Sequence, residues 1–379
     1  MRILIAPDKF KGSLTGGEVA AAIEAGLRAG WPDDAGELVC VSCPIADGGD
    51  GLAETLVKAL GGTWRELVVN DPLGERIPAR YGWIEDSGGG ALAIIEMAAA
   101  SGLALLAGRS LDPARASTFG TGELLRHAVD SGAKEILLGI GGSGTNDGGS
   151  GVALAMGFRF FDAEGRERMD LPKALRDIVR IVPPTGLRLP SVTVACDVTN
   201  PLLGPDGCTR IYGPQKGIRS EEIPLHEERL AHLVELLGTP GETAARLAGA
   251  GAAGGLGFGA MVFLDAVLAP GFELVADYLG LGSLIAGADL VISGEGRLDA
   301  QSLCGKGPHG VVQMARRAGK ATAMICGSYD GESLIDDFGP IWAIRRPDRP
   351  LDEDLAEATS LIQIQAAAAA PSLARLSRA

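Results

Sequence analysis

The chain has 379 residues, enough for about two domains, and with 46% apolar and 22% charged residues it is neither disordered nor a low-complexity scaffold. Its formal net charge of −14, from 34 Lys+Arg against 48 Asp+Glu, repels phosphate backbones and anionic lipid, so neither nucleic acid nor a membrane is an expected partner. Glycine is the outlier at 56 residues, about twice the ~7% average, while aromatics at 4% are too few for a base-stacking surface.

RILIA (2–6) is a continuous apolar run, the pattern of a buried parallel strand rather than a leader peptide. Thr15 and Glu18 form a T-x-x-E capping box, followed by Val19, Ile23 and Leu27 at helical spacing. ELVCVSCPI (37–45) is the second strand, and residues 52–60 the second helix. Residues 63–84 and 91–96 predict strands, 121–131 a helix, 134–142 a strand and 191–198 another. Residues 223–238 and 262–285 are expected to be mainly helical. ADLVISGEG (288–296), a helix over 308–318 and ATAMICGS (321–328) restore the strand–helix–strand order. The last helix is expected over 352–366, with a frayed Ala-rich tail. This alternation predicts parallel sheets with right-handed crossovers. No run of 18 apolar residues exists, so a cytoplasmic protein is expected. The six cysteines, including the Cys40/Cys43 pair, are expected to be free thiols.

The glycine-rich turns fall mostly at the carboxyl ends of predicted strands, the edge where open parallel sheets bind ligands. APDKFKGSLT (6–15) places Asp8, Lys11 and Ser13 before a capped helix, which suits an anion. ADGGDG (46–51) holds Asp47 among glycines and suits Mg²⁺ or substrate hydroxyls. GIGGSGTNDGGSG (139–151) suits a nest of backbone N–H groups around phosphate. Asp197 ends a strand, where it could take a hydroxyl proton or hold a metal ion. YGPQKG (212–217) and GAGAAGGLGFG (249–259) add two further turns; the second could equally serve tight helix packing. SGEGRLDAQSLCGKGPHG (293–310) has a Gly-Lys pair, but eight residues separate Gly296 from Gly305 and Gly307 follows Lys306. A Walker A loop needs four, then Ser or Thr, so this is no P-loop. His127, His226 and His232 read as surface helix positions. Residues 139–144 also match G-x-G-x-x-G, with Asp162 about twenty residues on. That match supports an alternative, an NAD-dependent oxidoreductase acting on a small hydroxy acid.

Taken together, APDKFKGSL, ADGGDG, GGSGTNDGG, CDVTNPLLG, YGPQKG, GAAGGLG and SGEGRLDAQSLCGKGPHGV resemble the motifs of the type I bacterial glycerate kinases, in order from residue 3 to about 330. The resemblance implies ATP- and Mg²⁺-dependent phosphorylation of D-glycerate to 2-phosphoglycerate. It also implies a Rossmann-like domain built from both chain ends (1–75 and 287–379), a flavodoxin-like middle domain (76–286), and an active site in the cleft between them. A monomer or homodimer is expected. On this reading Asp197 is the base, with Asp299 its rival, and Lys11 assists. Glycerate would be held by Asp8, Lys11, Ser13, Asp47, Arg297 and Gln301, and the metal by Asp47 and Asp197. The nucleotide would be held by Gly141, Gly142, Ser143, Thr145, Asn146, Asp147, Gln215, Lys216, Gly254, Gly255 and Lys306.

Overall fold

The computed structural model describes residues 1–46, 49, 51–299, 302–303, 307–331 and 334–376. The chain divides into two compact units, one of Met1–Asp47 with Phe272–Ala379 and one of Gly48–Gly271.

The terminal unit is built on a five-stranded parallel sheet. Its strands run in the order Ile341–Ala343, Ala321–Cys326, Leu290–Ser293, Arg2–Ile5, Val39–Ser42. The strand Leu290–Ser293 and residues 3–5 are fully buried, which is why they read as unbroken apolar runs. Ile3 and Ile5 join one core, Leu4 the other, because side chains alternate across a strand. The capping box forms as expected: Thr15 N–H donates to Glu18 and Glu18 N–H donates to Thr15 Oγ1. The helix it starts, Gly16–Gly30, packs against a long C-terminal helix, Ala358–Leu376.

The Ala-rich tail is therefore not frayed. Ala366, Ala369, Ala370 and Leu373 are buried. A Cβ on Gly26 would stand 2.3 Å from the Gln363 carbonyl, and one on Gly30 2.2 Å from that of Ala367. Glycine on one helix and alanine on the other bring the two backbones nearly into contact, and dispersion holds them there. Alanine is a strong helix former, and the signal missed in the sequence was this facing pair of glycines.

The middle unit has a six-stranded sheet ordered Val267–Ala269, Ser191–Ala195, Glu135–Gly139, Leu92–Glu96, Arg76–Ile84, Thr63–Asn70. The first four are mutually parallel and the last two antiparallel. Thr63–Asn70 pairs with Arg76–Ile84 along eight positions, so the expected division after residue 75 would split a hairpin. The helix Leu52–Leu60 also packs here, since Val57 lies 2.4 Å from where a Cβ of Gly82 would stand. The strand Val267–Ala269 interrupts the stretch 262–285 that was expected to be helical. Only three residues long, it sends no periodic signal.

His226 is not a surface residue. It is 3% exposed, its Nδ1 has no partner among the described residues, and burial pushes its pKa down to about 4. His127 and His232 are half-buried, bonding Tyr81 and the Ile178 carbonyl. Among the described residues the thiols of Cys40, Cys43, Cys208 and Cys326 are free, and no helix is long and apolar enough to cross a membrane.

Gly26→Val should lower stability by about 1–3 kcal/mol, the usual cost of overpacking, measured as a drop in the urea midpoint at unchanged slope. The buried His226 gives a pH signature. Between about pH 6.5 and 4 the unfolded chain binds a proton that the folded protein does not, so stability falls as pH drops through that window. His226→Leu should flatten that part of the stability profile, and an equally steep profile would refute the assignment.

Candidate active site

In a parallel sheet all strands end on the same edge, so the loops that follow them assemble there. In the terminal unit the loop 6–15 leaves the strand Arg2–Ile5 beside the loop that follows Leu290–Ser293. Asp8 N–H donates to the Gly294 carbonyl at 2.8 Å, and a Cβ on Gly296 would meet the Lys11 nitrogen at 3.4 Å. Lys9 N–H donates to Asp8 Oδ1 at 2.7 Å, and Asp8 Oδ2 faces Gly307 at the start of the helix Gly307–Arg317. Lys11 is exposed, and the Ser13 hydroxyl donates to the Leu355 carbonyl at 3.1 Å.

The loop after Leu290–Ser293 is stitched to the one after Ala321–Cys326. Gly327 N–H donates to the Glu295 carbonyl, and Arg297–Leu298 pairs with Ser328–Tyr329. Glycine is obligatory at 327, where a Cβ would stand 2.0 Å from the Gly296 carbonyl oxygen. The Arg297 guanidinium pairs with Asp330 at 2.5 Å and Asp299 at 3.8 Å. Asp8, Lys11, Arg297 and Asp299 thus share one edge of the terminal sheet. Asp47, Gln301 and Lys306 lie outside the described residues.

The middle unit's edge is organised by the loop 140–149. Its tip bears Gly141, Gly142 and Ser143, whose N–H groups make no hydrogen bond among the described residues. Gly142 is exposed at φ +69°, and Gly141 and Ser143 are half-buried. The remaining polar residues of the motif point inward and hold this tip. The Asp147 carboxylate is fully buried and accepts from Thr118 N and Thr118 Oγ1, both at 2.7 Å, and from Gly149 N and Gly151 N at 3.0 and 3.1 Å. Burial raises its pKa, and these four donors offset only part of that rise. Asn146 is buried against the Thr209 hydroxyl.

Lys216 enters from the turn 213–217 and is buried. Its ammonium donates to Ser143 Oγ at 2.7 Å and to the Thr145 carbonyl at 2.8 Å. Desolvation pushes its pKa down to about 8. Since Ser143 Oγ accepts from Lys216, its own O–H is left to donate outward. Gly254 and Gly255, at φ +67° and +89°, press against the back of the loop. A Cβ on Gly254 would lie 2.0 Å from the Thr145 carbonyl oxygen. Of the expected nucleotide-binding set, Gly141, Gly142, Ser143 and the exposed Gln215 reach solvent. Thr145, Asn146, Asp147, Lys216, Gly254 and Gly255 are the supporting frame.

Asp197 sits two residues beyond Ser191–Ala195, on the same edge. Its Oδ1 accepts Gly271 N–H at 2.9 Å, at the first turn of the helix Gly271–Tyr278, which fixes the carboxylate's orientation. One carboxylate escaped the sequence reading. Glu96 ends the strand Leu92–Glu96 and accepts from Gly51 N and Leu52 N at 2.7 and 3.1 Å, capping the helix that follows the ADGGDG turn. An acidic residue ending an apolar strand was the available signal. Among the described residues no three His, Cys, Asp or Glu side chains converge as a metal cage.

The dinucleotide fingerprint does not survive. After residues 139–144 the chain makes no helix until Ser150–Ala155, so the turn cannot offer phosphate a helix start. Asp162 is buried and turned to its own loop, accepting from Glu164 N and Arg166 N and pairing with the Arg166 guanidinium. The comparisons below overturn the oxidoreductase alternative as well.

A profile of the Glycerate kinase family matches residues 3–374. The Glycerate 2-kinase of Escherichia coli is 43% identical over 346 residues, covering 90% of this chain and 87% of that protein. The Glycerate kinase of Halalkalibacterium halodurans is 42% identical over 369 residues, 95% of each. A crystal structure designated glycerate kinase 2, from Salmonella typhimurium LT2, superposes with a TM-score of 0.87 at 39% identity, covering 100% of both chains.

If Lys216 holds the tip of the loop, Lys216→Met keeps the buried stem but removes both donors. The Michaelis constant for a nucleoside triphosphate should rise tenfold or more in a variant of native circular dichroism. An unchanged constant would show that the loop stands without it.

Proposed function

Because the chain belongs to the glycerate kinase family, we infer that it transfers a phosphoryl group from ATP to a hydroxyl of D-glycerate. The observation that carries this reading is the tip of the loop 140–149, where three backbone N–H groups without a partner among the described residues, and the Ser143 hydroxyl, sit on a buried frame held by Asp147 and Lys216. Phosphoryl transfer asks mainly for positioning and neutralisation of charge. Donors already held in place, with no side chain in front of them, supply both without reorganising.

The residue roles proposed with it are these. Gly141, Gly142 and Ser143 bind phosphate oxygens. Lys216 acts at one remove, as a positioning residue that aims Ser143. Asp197 orients the acceptor hydroxyl and accepts its proton, with the Gly271 N–H holding the carboxylate still. Within the terminal unit, Lys11 is the cation proposed to meet an anion, in preference to Arg297, whose guanidinium already serves Asp330 and Asp299. Mg²⁺ fits this donor set, because it usually takes only one or two carboxylates and completes its shell with phosphate and water. It would neutralise charge building on the transferred group, held by phosphate, water and a carboxylate other than the base; of the expected pair, Asp47 lies outside the described residues. Phosphorylation at the 2-position is proposed on the kinship with the Escherichia coli enzyme.

Incubation with ATP, Mg²⁺ and D-glycerate, followed by phosphorus NMR, should show 2-phosphoglycerate. A 3-phosphate product would overturn the position, and no phosphorylated glycerate would overturn the activity. Asp197→Asn should cut kcat by a hundredfold or more, within the range for a general base, with the Michaelis constant for glycerate little changed. Near-normal turnover would move the role of base to another carboxylate.

A further inference from the structure

The middle unit contains a cavity of about 440 Å³ that uses none of the residues assigned above. That volume is within the range that takes a small organic ligand. It lies between the turn of the 63–84 hairpin, the segment 115–119 and the segment 169–173. Phe119, Leu154 and Leu171 give it apolar walls.

Its charges are arranged unusually for so acidic a chain. Two carboxylates line it, and both are already satisfied. Asp71 is buried, ion-paired with Arg109, and accepts from Leu73 N and Glu75 N at 2.8 and 2.9 Å. Asp170 pairs with Arg168 at 2.8 Å. The two cations in the lining, Arg115 and Lys173, are exposed, and neither forms an ion pair among the described residues. The cavity thus offers apolar walls beside two exposed positive charges, Arg115 and Lys173, the second also attracting Asp170. The matching ligand has an apolar body and one anionic head.

Its wall is also continuous with the glycine loop. Ser117 lines the cavity, its N–H donates to the Pro72 carbonyl at 2.9 Å, and its hydroxyl lies 3.5 Å from Asp147 Oδ2. The next residue, Thr118, donates twice to the same carboxylate oxygen.

We propose that this cavity is a second ligand site, for a small organic anion with an apolar body and a phosphate or carboxylate head, and that its occupancy reaches the loop 140–149 through Ser117, Thr118 and Asp147. The site stands independently of the phosphoryl-transfer reading, since it is tested by binding.

Phenyl phosphate and benzoate, titrated calorimetrically into the full chain, should bind with Arg115 and Lys173 intact and at least tenfold more weakly to Arg115→Ala/Lys173→Ala. Which probe binds more tightly separates phosphate from carboxylate heads. Inorganic phosphate, lacking the apolar body, should bind at least tenfold more weakly than phenyl phosphate. The variant Arg115→Lys/Lys173→Arg keeps both charges and should retain binding. Equal affinity in wild type and the double-alanine variant, or no binding by either probe, would overturn the site. Hydrogen exchange should show protection of amides 70–74 and 115–119 on binding, together with slower exchange at 147–151. Protection at the cavity alone would overturn the link to the loop.

Discussion

The Asp147 carboxylate is the interaction on which the middle unit's site depends. A carboxylate taken wholly out of water costs several kcal/mol unless donors replace its hydration. Here four strong donors do so, from Thr118 on one side and from Gly149 and Gly151 on the other. The same bonds fix the path of the glycine loop and tie it to the helix Phe119–Asp130. Lys216, buried nearby, adds a positive charge and two donated bonds to the loop. Beside this network the Thr145 and Ser150 hydroxyls are buried without a hydrogen-bond partner among the described residues.

The glycine excess divides by purpose. At Gly141 and Gly142 the missing side chain leaves backbone N–H groups open to a ligand. At Gly254 it lets one segment lie against the Thr145 carbonyl, and at Gly327 it lets two loops close on each other. At Gly26 and Gly30 it brings helix axes together. Only the first class is proposed to touch a substrate, yet all four look alike in a sequence. The stretch 249–259, which could have served ligand binding or helix packing, serves packing against the loop 140–149.

Much of the site was legible because strand ends are legible. An apolar run followed by glycines and a carboxylate marks the carboxyl edge of a parallel sheet, and this located the loops at 6–15, 139–151, 196–204 and 293–299. The inward or outward aim of each residue was not legible. Asp147 and Lys216 look like ligands for phosphate and metal in a list of motif residues. In the structure their charges are turned to the protein itself, because a loop that presents bare backbone must be held from behind. Glu96 was missed for the converse reason, since its partners lie 45 and 44 residues away in the chain.

Periodicity, capping and motif order, all local properties of the chain, were enough to determine that this is an α/β protein of mainly parallel sheets and to identify its family. Tertiary structure alone decided which polar residues face a ligand and which face the core. It also decided that the alanine-rich tail is a buried helix, that His226 is enclosed with its pKa pushed down, and that Arg115 and Lys173 line one cavity without an ion pair among the described residues. These are outcomes of long-range contact, where burial sets the cost of a charge and the partner that offsets it comes from a distant segment.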